Sequence, residues 1–209
     1  MAKTLNPACK QCRREGEKLF LKGERCLSAK CVMVKRNYPP GIHGVKGRGR
    51  LTPYGVQLRE KQKAKRLYGL MEKQFAGYYQ KAIKYKGTTS DTLGRLLEMR
   101  LDNVVYRLGY APSRKNARQL VSHNHFQING KKVNIPSYQT KVGDIITIKG
   151  KSLQAGPFKN VKEVITKKFT PSWLHLNPET LEAKVTSLPH TNDLPKNVDM
   201  TLIIEYYSR

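Results

Sequence analysis

Apolar positions recur with a helical period through the first part of the chain and shorten to strand-length runs beyond it. Between residues 100 and 110, Leu101, Val104, Val105 and Leu108 fall at i, i+3, i+4 and i+7, which is one face of a helix. Gly109 then suits a C-terminal cap, and Pro112 drives the residue before it out of the helical region. Ser113 is placed to cap a second helix. There Ala117, Leu120 and Val121 form the apolar stripe, while Arg114, Lys115 and Arg118 project from the opposite side. Asn124 suits the left-handed conformation that ends a helix. Asn129-Gly130 is a two-residue hairpin signal and sets Phe126 opposite Val133.

The same periodicities extend in both directions. Thr52-Pro53 opens a helix expected over 54–68, ended by Gly69. A helix over 71–85 offers Phe75, Tyr78, Tyr79, Ala82 and Ile83 to a core, residues 87–91 break it, and 92–99 resumes helix. Downstream, 136–141 reads as a loop and 142–148 as a strand that joins the hairpin's sheet. Residues 150–209 alternate short segments at 161–169, 173–176, 183–188 and 200–207, a β-rich or mixed pattern with Trp173 as a core or lid residue. The expected fold is α+β, in three parts. An N-terminal arm spans 1–50. A mainly helical domain spans 51–98 and is completed by about 190–209. An inserted α/β module spans 99–189, with two helices packed on a small antiparallel sheet.

Charge changes the picture from fold to partner. The chain has 209 residues and a formal net charge of +25. Residues 1–149 carry 32 lysines and arginines against 9 acidic residues, whereas 150–209 carry 8 against 6. A surface made basic only for solubility mixes its signs throughout, so this concentration points to a polyanion. Fixed cations on a helix beside a polar hairpin, with His123, His125, Lys131 and Lys132 in the same region, suit a folded RNA. No apolar run approaches membrane-spanning length, no membrane partner is expected, and the first ten residues lack a signal-peptide core. The expected compartment is the cytosol.

All four cysteines lie in the first 31 residues, as Cys9-x-x-Cys12 and Cys26-x4-Cys31. Two close pairs can converge on one tetrahedral ion, with Lys10, Arg13 and Arg14 helping to keep the thiolates ionised. Zinc is the first choice. A four-cysteine iron–sulfur cluster uses the same ligands, and two disulfides fit poorly in a basic cytosolic chain. Either metal centre would be structural. Residues 35–50 follow, with six cations, five glycines and Pro39-Pro40, too polar to bury a core and ordered only against a partner. Tyr38 and His43 could stack on bases, and bared glycine backbone can approach phosphates.

These pieces together resemble the bacterial-type S4 family of small-subunit ribosomal proteins, the universal uS4 family. The likeness is carried by the four cysteines, Tyr38-Pro-Pro-Gly41 with His43-Gly44, Tyr54-Gly55 followed by Gln57-Leu-Arg-Glu-Lys-Gln-Lys63, and Tyr68-Gly69. It continues through Leu96-Leu-Glu98, Arg100-Leu-Asp-Asn-Val-Val-Tyr-Arg-Leu-Gly109, Ala117-Arg-Gln-Leu-Val-Ser-His123 and Asn129-Gly-Lys-Lys-Val133. Ile135-Pro-Ser-Tyr138, Gly143-Asp144 and the ending Glu205-Tyr-Tyr-Ser-Arg209 complete it. Asn116 and Asn124 depart from residues common in the family (Gln and Gly), and 150–198 matches loosely.

The resemblance implies a primary 16S rRNA-binding protein that nucleates assembly of the subunit body, contributes to translational accuracy, and touches ribosomal protein S5 and other small-subunit proteins. It places mRNA nearby, where the message enters the subunit, and implies repression of their own message in some members. The rRNA-facing residues it implies in the arm are Arg13, Arg14, Lys35, Arg36, Tyr38, His43, Lys46, Arg48 and Arg50. On the helix after Pro53 they are Gln57, Arg59, Lys61, Lys63, Lys65 and Arg66. In the module they are Ser113, Arg114, Lys115, Arg118, His123, His125 and Lys131. Two other readings weigh less. An RNA-modifying enzyme would need a catalytic domain, and Asp91, Glu98 and Asp102 are better explained by helix capping and salt pairing. A zinc-dependent DNA-binding regulator would need a recognition-helix spacing that is not present.

Overall fold

Helices form where the apolar stripes predict them, and their ends are set by named caps. The structure is a computed structural model that describes residues 6–47, 49–154, 156–158, 161, 165 and 170–209. Its contacts divide the chain into two units, Met1–Leu93 with Lys196–Arg209, and Gly94–Pro195.

In the first unit, α1 (Ala8–Glu15) and the short α2 (Val32–Lys35) precede α3 (Pro53–Leu67) and α4 (Glu72–Lys84). Thr52 caps α3 by accepting from the Gly55 N–H at 3.2 Å, and Pro53 occupies the first turn, where its missing N–H costs nothing. Gly69 follows in the left-handed region at φ +65°. On α4, Phe75, Tyr78, Tyr79 and Ala82 are buried. Ile83, expected in the core, is 50% exposed, because one further residue rotates it past the 75/78/79/82 stripe. Helix α5 (Thr89–Glu98) starts earlier than its expected 92, so Ser90 and Asp91 lie in its first turn and the break shrinks to the residues around Gly87 at φ +117°.

The chain's last helix also belongs to the first unit. Asp199 caps Met200–Tyr207 by accepting from the Thr201 and Leu202 N–H groups at 2.8 and 3.3 Å. This helix packs along α3, burying Met200 and Ile203, while Tyr207 stacks on Phe75 and Tyr79.

The second unit begins with the end of α5 and holds α6 (Leu101–Arg107) and α7 (Arg114–Ser122). Leu101, Val104, Val105 and Leu108 are all at most 1% exposed, so the stripe that defined this helix is its buried face. Ser113 accepts from the Asn116 N–H at 3.3 Å, and Ala117, Leu120 and Val121 face the core. Asn124 adopts φ +61°. Five antiparallel strands form the sheet: β1 (Phe126–Ile128), β2 (Lys131–Lys132), β3 (Ile145–Ile148), β4 (Leu174–Asn177) and β5 (Glu182–Val185), in the order β2-β1-β3-β5-β4. Asn129 and Gly130 turn the hairpin with φ +49° and +77°, and the Val133 N–H donates to the Phe126 carbonyl as the hairpin register requires.

The strand expected over 142–148 is shortened to its last four residues. Gly143 sits at φ +93°, and the Asp144 carboxylate accepts from the Lys141 N–H at 2.8 Å and from Asn129 Nδ2 at 2.9 Å, so a side chain claims the donors a ladder would use. Most of the segment expected at 161–169 lies outside the described residues. Trp173 is fully buried in the core beside Leu174, Ala183 and Val185. The two strands from the last third of the chain extend the hairpin's sheet beyond what its pattern alone predicted.

Candidate nucleic-acid interface

The expected basic faces resolve into two kinds of cation, those held by carboxylates and those left in solvent. Helix α3 shows the first kind. Both Arg59 and Arg66 pair with Glu15, whose side chain is 1% exposed. The Lys63 ammonium lies 2.7 Å from Glu60 and 3.4 Å from Glu17. Lys61 and Lys65 reach Glu72 at 2.6 and 2.8 Å, and Lys61 also sits 4.4 Å from the Tyr206 ring centroid. Gln57 donates to Glu205 at 2.8 Å. The side chains of Gln57, Lys61 and Lys63 are buried, which corrects the expectation of a helix basic around most of its circumference. The reason is local: acidic residues from α1, α4 and the last helix pack against α3 and neutralise it.

Titration follows those contacts. Burial works against the Glu72 carboxylate, but the two ammoniums outweigh it and hold its pKa at about 2. Burial pushes the Glu15 carboxyl up, with Arg66 and Arg59 opposing, and lowers Arg66 itself.

In the arm, Arg13 works inward. Its guanidinium donates to the Tyr38 and Pro39 carbonyls at 2.9 and 3.1 Å and lies 4.7 Å over the Tyr38 ring. It therefore fixes the bend at Tyr38-Pro39. Gly44 is buried in that bend, and a Cβ there would collide with the Pro39 carbonyl. Arg14, Lys35, Arg36, His43, Lys46 and Arg50 are exposed, and Arg48 lies outside the described residues.

The second unit has a comparable inner layer. Glu98, fully buried, accepts from Arg107 at 2.8 Å on each oxygen and from Asn103 Nδ2 at 2.7 Å. Asp102 is gripped by Arg100 at 3.1 and 2.7 Å, and Arg118 approaches it at 3.9 Å. Arg114 donates to Asn103 Oδ1 at 2.7 Å and lies 4.6 Å over the Tyr106 ring. Two buried carboxylates thus orient four guanidinium planes. The side chains of Arg114 and Arg118 are only 13% exposed, so the expected outward projection holds in full for Lys115 alone. Glu98 and Asp102 are structural ion-pair partners, as their spacing suggested. Sequence reasoning passed over Arg100 and Arg107 as members of this set. The available signal was four arginines in nineteen residues beside two carboxylates four apart.

Around this layer, His123, Lys131 and Lys132 are exposed. His125 is half-buried, with Nδ1 2.9 Å from Ser152 Oγ and its ring edge-on to Phe158. Burial, then His123 and Lys149, push its pKa down, so the ring is neutral at physiological pH. Ser113 is a helix cap and is itself buried.

The four thiols are all free, with Cys12, Cys26 and Cys31 buried and Cys9 half-buried. Helix α1 sets Cys9 and Cys12 one turn apart, while Cys31 opens α2. The Lys22 N–H donates to Cys26 Sγ at 3.4 Å. Burial pushes the Cys12 thiol up, a backbone hydrogen bond from Leu19 pulls it back, and Cys26, Cys9 and Cys31 raise it further. The thiols are therefore mutual neighbours with backbone donors aimed at sulfur, a donor set that suits zinc. Among the described residues, no three His, Cys, Asp or Glu side chains are gathered as a metal would hold them.

Comparison with known proteins matches both units. Residues 3–98 match the family model of the ribosomal protein S4/S9 N-terminal domain, and residues 99–146 match that of the S4 domain. The chain is 52% identical to the small ribosomal subunit protein uS4 of Heliobacterium modesticaldum. It is 53% identical to those of Clostridioides difficile and Caldicellulosiruptor saccharolyticus. Each alignment spans 209 residues and the whole of both chains.

Proposed function

From its membership of the uS4 family of small ribosomal subunit proteins, to which this chain belongs, we infer that it is a primary 16S rRNA-binding protein that nucleates assembly of the subunit body and contributes to translational accuracy. It is a structural ribosomal protein and not an enzyme, and its place is the small ribosomal subunit in the cytoplasm. The observation that carries the RNA reading is the two-layer charge. Carboxylates lock one set of cations into rigid scaffolds, and Arg14, Lys35, Arg36, His43, Lys46, Arg50, Lys115, His123 and Lys131 remain outward for phosphate. Rigid placement lets a basic surface select a folded RNA rather than adhere to any polyanion.

Ribosomal protein S5 is a proposed neighbour, and mRNA is a proposed ligand of the arm. A structural zinc held by Cys9, Cys12, Cys26 and Cys31 is proposed for the arm, supported by the clustering of the thiols and by the N–H groups directed at sulfur. Bound zinc would cross-link α1 to the turn before α2, and a four-cysteine iron–sulfur cluster would do the same.

The test is competition binding of the purified chain to the 5′ portion of 16S rRNA, with tRNA and duplex DNA as competitors, across a salt series. Strong preference for the rRNA fragment is expected. So is a fall in affinity of roughly 10³-fold or more between 50 and 200 mM salt, as six or more phosphate contacts require. Equal affinity for all three nucleic acids, or a flat salt dependence, would overturn the reading.

A further inference from the structure

The first unit contains a groove of about 730 Å³ between the 39–51 segment and α3, and the charges inside it do not suit a phosphate. Glu15, Glu17 and Glu60 all line it. Its inner cations, Arg59 and Lys63, are already paired with those carboxylates. An anion entering would meet three negative groups whose counter-charges are engaged. Two polar atoms in the groove's lining are nonetheless buried with no hydrogen-bond partner in the protein: Arg59 Nη1, a donor, and Glu17 Oε2, an acceptor. A buried donor and acceptor left unmatched are costly, and a neutral ligand with both functions on one edge relieves both.

The walls limit what that ligand can be. Pro39, Pro40, Leu51 and Val56 supply apolar surface, while the glycines of the arm carry no side chain to obstruct a flat ring. Arg14 and Arg50 also line the groove and are exposed, in positions to meet charge outside it. A planar heterocycle with adjacent donor and acceptor, joined to flanking phosphates, matches each feature. We propose that this groove captures one unstacked nucleobase of the bound RNA, read on its edge by Glu17 and Arg59, with the neighbouring phosphates at Arg14 and Arg50. Unpaired bases splayed from junctions are recognised in this way, by stacking and by edge hydrogen bonds.

The proposal rests on RNA being the ligand, so its test is built to fail separately. Full-length chain, isotopically labelled, is titrated with GMP, UMP, ribose 5-phosphate and inorganic phosphate, and amide shifts are followed at Gly41, Gly44 and Arg59. At least one nucleotide is expected to bind roughly tenfold or more tightly than ribose 5-phosphate, the scale of one stacked base. A seven-nucleotide single strand is expected to bind more tightly again, and replacing its central nucleotide by an abasic ribose should lose that gain.

Two variants probe the reading edge. Glu17→Gln keeps the side chain's shape and leaves Lys63 paired with Glu60, and Arg59→Lys keeps the positive charge. Both should lose at least half of the nucleotide's advantage over ribose 5-phosphate, with unfolding midpoints confirming that each is folded. Equal binding of nucleotides, ribose 5-phosphate and phosphate overturns the proposal, even where the 16S fragment is still preferred. Binding of GMP alone as tight as that of the heptanucleotide overturns the assignment to RNA.

Discussion

Glu72 and Glu15 show how one residue type takes opposite roles in the same unit. The Lys61 and Lys65 ammoniums outweigh burial at Glu72 and hold its pKa at about 2, against an ordinary value of 4.5. A depressed carboxylate contributes stability that is present above its unfolded pKa and is lost as pH falls through the folded one. Glu72 therefore stabilises the fold above about pH 4.5 and loses that contribution between there and pH 2. Glu15 is raised by burial, so protonation favours its folded form, the reverse sign. Unfolding of Glu72→Gln by urea, followed from pH 7 to pH 2, should give a flatter acid limb than the parent chain. Parallel curves below pH 4.5 would show that the pair contributes nothing. None of this was legible in the sequence. Lys61 and Lys65 read as exposed cations because the partner Glu72 belongs to the next helix, and only packing brings them together. Arg114 and Arg118 were misread as outward for the same reason: helical spacing gives the side of the helix, not the neighbour that covers it.

Elements were more legible than their side-chain partners. Caps and turns are local, so Thr52-Pro53, Ser113, Asn124 and Asn129-Gly130 did what their chemistry predicts. The failures are also local in cause. The strand at 142–148 is cut short by the Asp144 carboxylate capturing ladder donors, and Ile83 falls one position beyond its stripe. The cysteine arm is the case where an element depends on something beyond its own chain. Helix α1 has eight residues and no side-chain cap at its start, too short to persist without outside support. With the proposed metal bound, that support is covalent in strength. Chain purified without chelator should carry about one metal ion per molecule by mass spectrometry, and Cys26→Ser should abolish it. Absorbance near 400 nm would assign the cluster instead of zinc. Chelation should then loosen residues 8–35 to hydrogen exchange while α4 stays protected. Metal-free chain with an already protected arm would refute the proposal.

The whole molecule combines two cores with a continuous demand for positive charge, and the cores are built from different sequence logic. The second unit is assembled from one continuous stretch whose helices, hairpin and late strands were mostly predictable one at a time. The first unit is closed by residues more than a hundred positions away: Met200–Tyr207 returns to pack on α3, with Ile203 fully buried and Tyr207 stacked on Phe75 and Tyr79. That return explains why a short apolar segment ends a chain whose last sixty residues are nearly neutral, since it serves a core and not the RNA. Ile203→Ala should therefore cost about 2–5 kcal/mol, the range for truncating a buried aliphatic side chain, and the loss should fall on the first unit. Trp173, the chain's single tryptophan, sits in the core of the second unit and reports on it separately. In a denaturant titration of Ile203→Ala, helical circular dichroism should acquire an earlier transition while the Trp173 fluorescence midpoint stays in place. If both signals shift together, helix α5, which runs across the division at Leu93–Gly94, transmits unfolding from one core to the other and the molecule melts as a single cooperative body.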